Sequence, residues 1–100
     1  MKINILASAI EDLCTGRVFY EKQGEGLGAY FFDSLFSDID SLVLYAGIHP
    51  LVFGFYRLLS KRFPYAVYYT STDSLIVVYR VLDLRRHPDL IRRALETKKL

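Results

Sequence analysis

The chain has 100 residues, 52% of them hydrophobic and 15% aromatic, with a formal net charge of +2. That length sets a single domain over residues 1–100 with one modest core, and that apolar content excludes a disordered chain. The lone cysteine, Cys14, excludes an internal disulfide, and His49 and His87 stand too far apart in sequence to suggest a metal site, so no metal or cofactor is expected.

The total charge hides an asymmetry. Residues 1–50 hold three basic residues against seven acids, a balance of −4, while residues 51–100 hold ten against four, a balance of +6. It is this distribution, not the total, that suggests an anionic partner for the second half. The apolar start is too short for a signal peptide. The longest apolar stretch, Leu42 to Tyr56, is interrupted by His49-Pro50 and falls short of the ~20 residues of a spanning helix. A soluble protein without a membrane partner is expected, and the lone cysteine fits a reducing cytosol.

In chain order, "KINILA" reads as a short strand. Ser8 with Glu11 reads as a capping box that starts a helix near Ala9, with Glu11 and Asp12 in its first turn. Ile10, Leu13, Cys14 and Val18 would share its buried face. "KQGEGLG" breaks that helix, and its glycines suit a close helix–helix contact; they lack the strand-then-glycine order of a dinucleotide loop. A second helix follows on the stripe Phe32, Leu35, Phe36, Ile39, Leu42, Val43 and Ala46, with Gly47 as its cap.

From residue 52 the period becomes two. "VFGFYRLLSKRF", "YAVYYTS" and "LIVVYRVLDLR" read as three strands, the last apolar on both faces and hence central. Pro88 opens a final helix that docks through Leu90, Ile91, Ala94 and Leu95 and leaves Arg92 and Arg93 outside, with "ETKKL" as a frayed tail. The expected fold is α+β: a small antiparallel sheet, a helical hairpin packed on one face, a short C-terminal helix, and an open second face.

Strand alternation groups Arg57 with Leu59 and Lys61, and Arg80 with Val78 and Leu82. Arg80, in mid-strand, is either paired with Asp83 or another acid, or aimed at an anion. A ribonuclease acting through a 2′-hydroxyl needs a proton acceptor, a proton donor and positive charge on the phosphate. Arg57, Lys61, Arg62 and Arg85 could supply the charge, and Tyr65, Tyr69 or His87 could move a proton, but no spacing compels this. The tyrosines equally read as half-buried sheet residues, and His87 and His49 as turn residues.

Three segments resemble the RelE/ParE superfamily of toxins from toxin–antitoxin pairs, closer to ParE. They are "ASAIEDLCTGRVFYEKQGEGLGAYFFDSL", then "YRLLSKRFPYAVYYTSTDSLIVVYRVLDLRRHP" with its R-x4-RFPY-x3-Y core, and "LRRHPDL", together covering most of residues 7–93. Asp83 stands where that family often has a histidine, and Ile91 where it often has a tryptophan. The resemblance implies a small cytoplasmic toxin neutralised by a cognate antitoxin. ParE-like members act on DNA gyrase; here Arg85, Arg86, Arg92 and Arg93 would form the target-binding end, and the chain would not be an enzyme. RelE-like members cut mRNA at the ribosome with basic residues and a late tyrosine. Arg57 and Arg85 match basic positions of the family sheet, but no tyrosine follows Tyr79. A third outcome is a detoxified member that only binds its antitoxin. The antitoxin would fold across the hairpin and the open sheet face, and the apolar area this needs would make the free protein prone to homodimerise.

Overall fold

The computed structural model describes residues 2–99, with side chains from Lys2 to Glu96. Its elements are β1 (Lys2–Ile5), α1 (Ala7–Gln23), α2 (Leu27–Asp40), α3 (Leu42–Tyr45), β2 (Leu51–Val52), β3 (Phe55–Leu59), β4 (Tyr65–Ser71), β5 (Leu75–Asp83) and α4 (Pro88–Lys99). The five strands form one sheet in the order β1-β5-β4-β3-β2. The expected α+β fold holds, and β5 is interior. One detail differs: β1 pairs parallel to β5, from Lys2↔Leu75 to Ile5↔Val78, so the sheet is mixed.

Each sheet face buries a separate cluster. On one, α1 and α2 bring Leu13, Phe31, Leu35 and Ile39 onto Val67, Tyr69, Ile76, Val78 and Val81. On the other, α4 docks Ile91 and Leu95 onto Phe55, Ala66, Tyr68 and Leu82. The second face is therefore partly covered rather than open. Ile91 and Leu95 dock as expected, but Leu90 remains exposed, and residues 96–99 continue the helix where fraying was expected; Leu100 lies outside the described residues.

The α1 reading needs correction. The helix begins at Ala7 behind Leu6, without a side-chain cap and without acids in its first turn. Ser8 and Asp12 are used over long range instead. β1 ends opposite Val78, which leaves the outer edge of β5 unpaired beyond that point. Ser8 Oγ donates to the Tyr79 carbonyl at 2.8 Å, and Asp12 Oδ2 accepts the Val81 N–H at 3.0 Å. The first turns of α1 thus replace a missing strand. The buried face follows Ala9, Leu13 and Gly16, while Cys14 and Val18 are exposed, so the expected stripe is rotated.

α2 buries Phe31, Leu35 and Ile39 together with Gly28, Ser34 and Asp38. Asp38 is held by the Ser60 hydroxyl, which donates to Oδ2 at 2.7 Å. The expected continuation to Ala46 breaks at Ser41, and Val43 faces outward in the short α3. The hairpin helices touch closely at two glycines. A Cβ on Gly28 would lie 2.6 Å from the Arg17 carbonyl oxygen, and one on Gly16 would lie 2.5 Å from the Phe31 ring. Glu21 closes the turn, accepting the Gly28 N–H at 2.9 Å and the Gly26 N–H at 3.2 Å.

The strand expected from Val52 to Phe63 is a hairpin. Phe53 and Gly54 both have positive φ, 53° and 84°, as a two-residue type I′ turn requires. The β3–β4 connection carries Phe63 into an aromatic cluster: Phe31 lies 5.1 Å from Phe63 and 4.8 Å from Tyr65, and Tyr20 lies 4.9 Å from Phe63. "RFPY" is therefore a wedge that locks the sheet to the helical hairpin.

Candidate functional site

The basic residues gather around the exit of β5 and the start of α4, and their surroundings differ. Arg80 is fully committed: Nε and Nη2 donate to the two Asp12 carboxylate oxygens at 2.7 and 2.8 Å. That bidentate pair holds the Arg80 pKa above its ordinary value. The expectation of a paired arginine holds, but its partner is Asp12 and not Asp83. A register shift between Tyr68 and Tyr69 also upsets the simple alternation of β5. Val78 and Val81, three apart, both face the hairpin core, and Tyr79 and Leu82 the α4 core.

Asp83 belongs to Arg85. Arg85 Nε and Nη2 donate to its two oxygens at 2.9 and 2.7 Å, and the Arg85 N–H adds a third bond at 2.9 Å. Burial alone would raise the Asp83 pKa, but these bonds outweigh it and hold it below the usual range. The Arg85 guanidinium lies 5.7 Å from the Phe19 ring centroid and reaches the Tyr20 hydroxyl at 3.4 Å. Beside this pair a cleft of about 360 Å³ is lined by residues that include Asp12, Phe19, Tyr65, Asp83 and Arg86. Burial, and next the Asp83 charge, push the Tyr65 hydroxyl up to about 12, so it is protonated at neutral pH and ill suited as a base.

On the α4 side, Arg57 of β3 pairs in register with Tyr68 of β4, which pairs with Arg80 of β5. Arg57 and Tyr68 line a second cavity of about 340 Å³, whose walls include Val52, Phe53 and Ile91 and to which Arg86 also contributes. Burial raises the Tyr68 pKa, against the charge and hydrogen bond of Arg57. Arg86 thus borders both cavities. On α4, Arg92 is bonded to Glu96 at 3.1 Å and Asp89 at 3.5 Å, and Arg93 is exposed.

The target-binding set Arg85, Arg86, Arg92 and Arg93 therefore lies on one junction, with Arg85 and Arg92 ion-paired. The ribonuclease set is not gathered. Arg57 lies on the α4 face, Lys61 and Arg62 are exposed in the β3–β4 connection, and Arg85 is held by Asp83. Tyr69 is spent on structure: its hydroxyl accepts the Gly47 N–H at 2.9 Å and bonds His49 Nδ1. His87 Nδ1 accepts the Asp89 N–H at 3.1 Å, a helix-start role. Two features escaped the sequence reading: Tyr68 as a partner of Arg57, and the apolar band Val43, Leu44, Ile48 and Leu51, 53–78% exposed, beside edge strand β2. Among the described residues no cluster of metal-ligating side chains occurs, and no helix is long and apolar enough to cross a membrane.

No protein-family model matches the chain, and no curated protein does. Among solved structures it is similar to a chain of the chromosomal ParDE TA system from P. aeruginosa, with a TM-score of 0.76 and 18% identity, over 84% of this chain and 96% of that one. The fold is ParE-like.

Proposed function

We propose that the chain is the toxin of a toxin–antitoxin pair, of ParE type, acting on DNA gyrase and held inactive by a cognate antitoxin. The observation that carries this reading is the fold likeness to a ParDE chain, which spans 84% of the protein. The exposed band Val43, Leu44, Ile48 and Leu51 supports a protein partner, because monomeric proteins seldom leave apolar residues so concentrated. It adjoins edge strand β2, so an antitoxin segment that folds on binding would bury the band and extend the sheet. The same band would favour homodimers when the partner is absent. The basic junction of Arg85, Arg86, Arg92 and Arg93 is the proposed gyrase contact. A RelE-like ribosome-dependent mRNA cleavage loses support, because Arg57, Lys61, Arg62 and Arg85 have separate surroundings.

One observation favours a second reading, a detoxified member that only binds antitoxin. Asp83 engages Arg85 through both guanidinium bonds and so reduces the charge offered by the junction. Gyrase supercoiling with purified protein separates the two. Inhibition, weakened in an Arg86→Ala, Arg93→Ala double variant, supports the toxin. Uninhibited supercoiling at micromolar excess, with antitoxin binding intact, supports the detoxified module and overturns the gyrase reading.

A further inference from the structure

We propose that the cavity between the β2–β3 hairpin and the start of α4 binds a carboxylate carried on an apolar body. Arg57 lines the cavity, and its Nε, closed off by protein atoms, has no hydrogen-bond partner among the described residues, so a small turn of the guanidinium brings that N–H to an acceptor in the cavity. Buried guanidinium N–H groups are rarely left without an acceptor, because nothing then replaces their lost hydration. The Tyr68 hydroxyl lies beside the same guanidinium, and Arg86 borders the cavity from the other side. Together they offer two positive charges, and none of the residues lining the cavity is acidic.

Three of the seven other arginines show which acceptor the chain uses. Arg80 has Asp12, Arg85 has Asp83, and Arg92 has Asp89 and Glu96. The chain thus meets each of these three guanidinium groups with its own carboxylate, and among the described residues no such pair involves Arg57. The walls decide between anions. Val52, Phe53 and Ile91 are apolar. A planar carboxylate sets both oxygens toward Arg57 and Arg86 and turns its substituent to those walls. A phosphate would direct further charged oxygens at them and lose hydration without replacement. The volume of about 340 Å³ lies at the small end of ligand pockets, roughly 300–1,000 Å³. Phe53 is held at φ 53°, a conformation that costs an aromatic residue energy, on the wall of this cavity. The inference stands apart from the proposed function, since neither gyrase nor an antitoxin enters it.

The test titrates the 15N-labelled protein with 3-phenylpropionate and follows the backbone amide resonances of Phe53 and Ile91, which persist in every variant, together with the Arg57 Nε–H resonance in the wild type. The comparison probes are acetate, 3-phenylpropanol and inorganic phosphate. Saturable displacement by phenylpropionate is expected, at least about tenfold tighter than by any of the other three. Arg57→Lys, which keeps the charge and removes Nε, should abolish it in a protein whose amide spectrum remains dispersed. Arg86→Gln, at an exposed position, should weaken it several-fold. No saturation by millimolar phenylpropionate overturns the proposal. So does equal binding of phosphate or acetate, which would mean charge attraction alone, and so does wild-type affinity in both variants.

Discussion

Gly28→Ala should destabilise the protein although it improves helix propensity. Gly28 is the second residue of α2, where alanine is worth at most about 1 kcal/mol more than glycine. Against this, the new Cβ would sit 2.6 Å from the Arg17 carbonyl oxygen and 3.0 Å from Glu21 Cβ and Oε1. The first obstacle is backbone, so relief requires α1 and α2 to part. Overpacking of this kind costs about 1–3 kcal/mol, and the upper end applies where no side chain can turn aside. Parting would also stretch the bond from Gly28 N–H to Glu21, now 2.9 Å, and hydrogen bonds to charged groups are worth about 1.5–3 kcal/mol. The net expectation is a loss of about 2–3 kcal/mol. For a domain of this size that lowers the thermal midpoint by on the order of 10–20 °C. Urea and thermal unfolding of wild type and variant measure it. Gly24→Ala is the control: its Cβ meets only the Leu27 side chain, at 3.1 Å, so it should change stability by less than about 1 kcal/mol. An unchanged or raised midpoint in Gly28→Ala would refute the close-contact reasoning, since only the propensity gain would remain.

Three further outcomes follow from the same geometry. Asp12→Ala leaves the part-buried Arg80 guanidinium and the Val81 N–H without their acceptor, and should cost about 3 kcal/mol in urea unfolding, with Asp12→Asn costing less. Burial lowers the pKa of His49 from 6.5, so folding favours its neutral form. The stability it contributes is complete above pH 6.5 and is lost as pH falls through the folded value, because the burial that lowers the pKa deprives the protonated ring of hydration; His49→Gln should flatten this limb of the pH–stability curve. Phe53→Asn should stabilise the β2–β3 hairpin by about 1 kcal/mol, since asparagine tolerates the left-handed conformation that Phe53 adopts, and a lowered thermal midpoint would contradict the turn assignment.

Elements governed by local chemistry were legible in the sequence. β4 runs from Tyr65 to Ser71 as the period of two after Pro64 indicated, and Pro88 opens α4. Elements decided by distant partners were not. Ser8 reads as a helix cap and Asp12 as a first-turn acid, yet their partners Tyr79 and Arg80 are 71 and 68 residues away. The β2–β3 turn was hidden because Phe-Gly lacks the Asn-Gly signal of a type I′ turn. The second stripe held at Leu35, Ile39 and Leu42, which are buried, and at Phe32, Phe36 and Ala46, which pack against the core; only Val43 faces out, and the buried Ser34 and Asp38 leave no trace in hydrophobic periodicity. At the candidate site, the cluster of arginines was visible, whereas the pairing of Arg80 with Asp12, Arg85 with Asp83, and Arg92 with Asp89 and Glu96 required the fold.

The central claim is that this ParE-like fold serves a toxin restrained by a partner. Induced expression in a bacterial host, with and without co-expression of whatever small acidic protein an adjoining reading frame encodes, tests it most directly. Growth should arrest when the chain is expressed alone and recover when the neighbour is supplied. Undisturbed growth at high expression of folded protein would contradict the claim, and so would arrest that the neighbour fails to relieve.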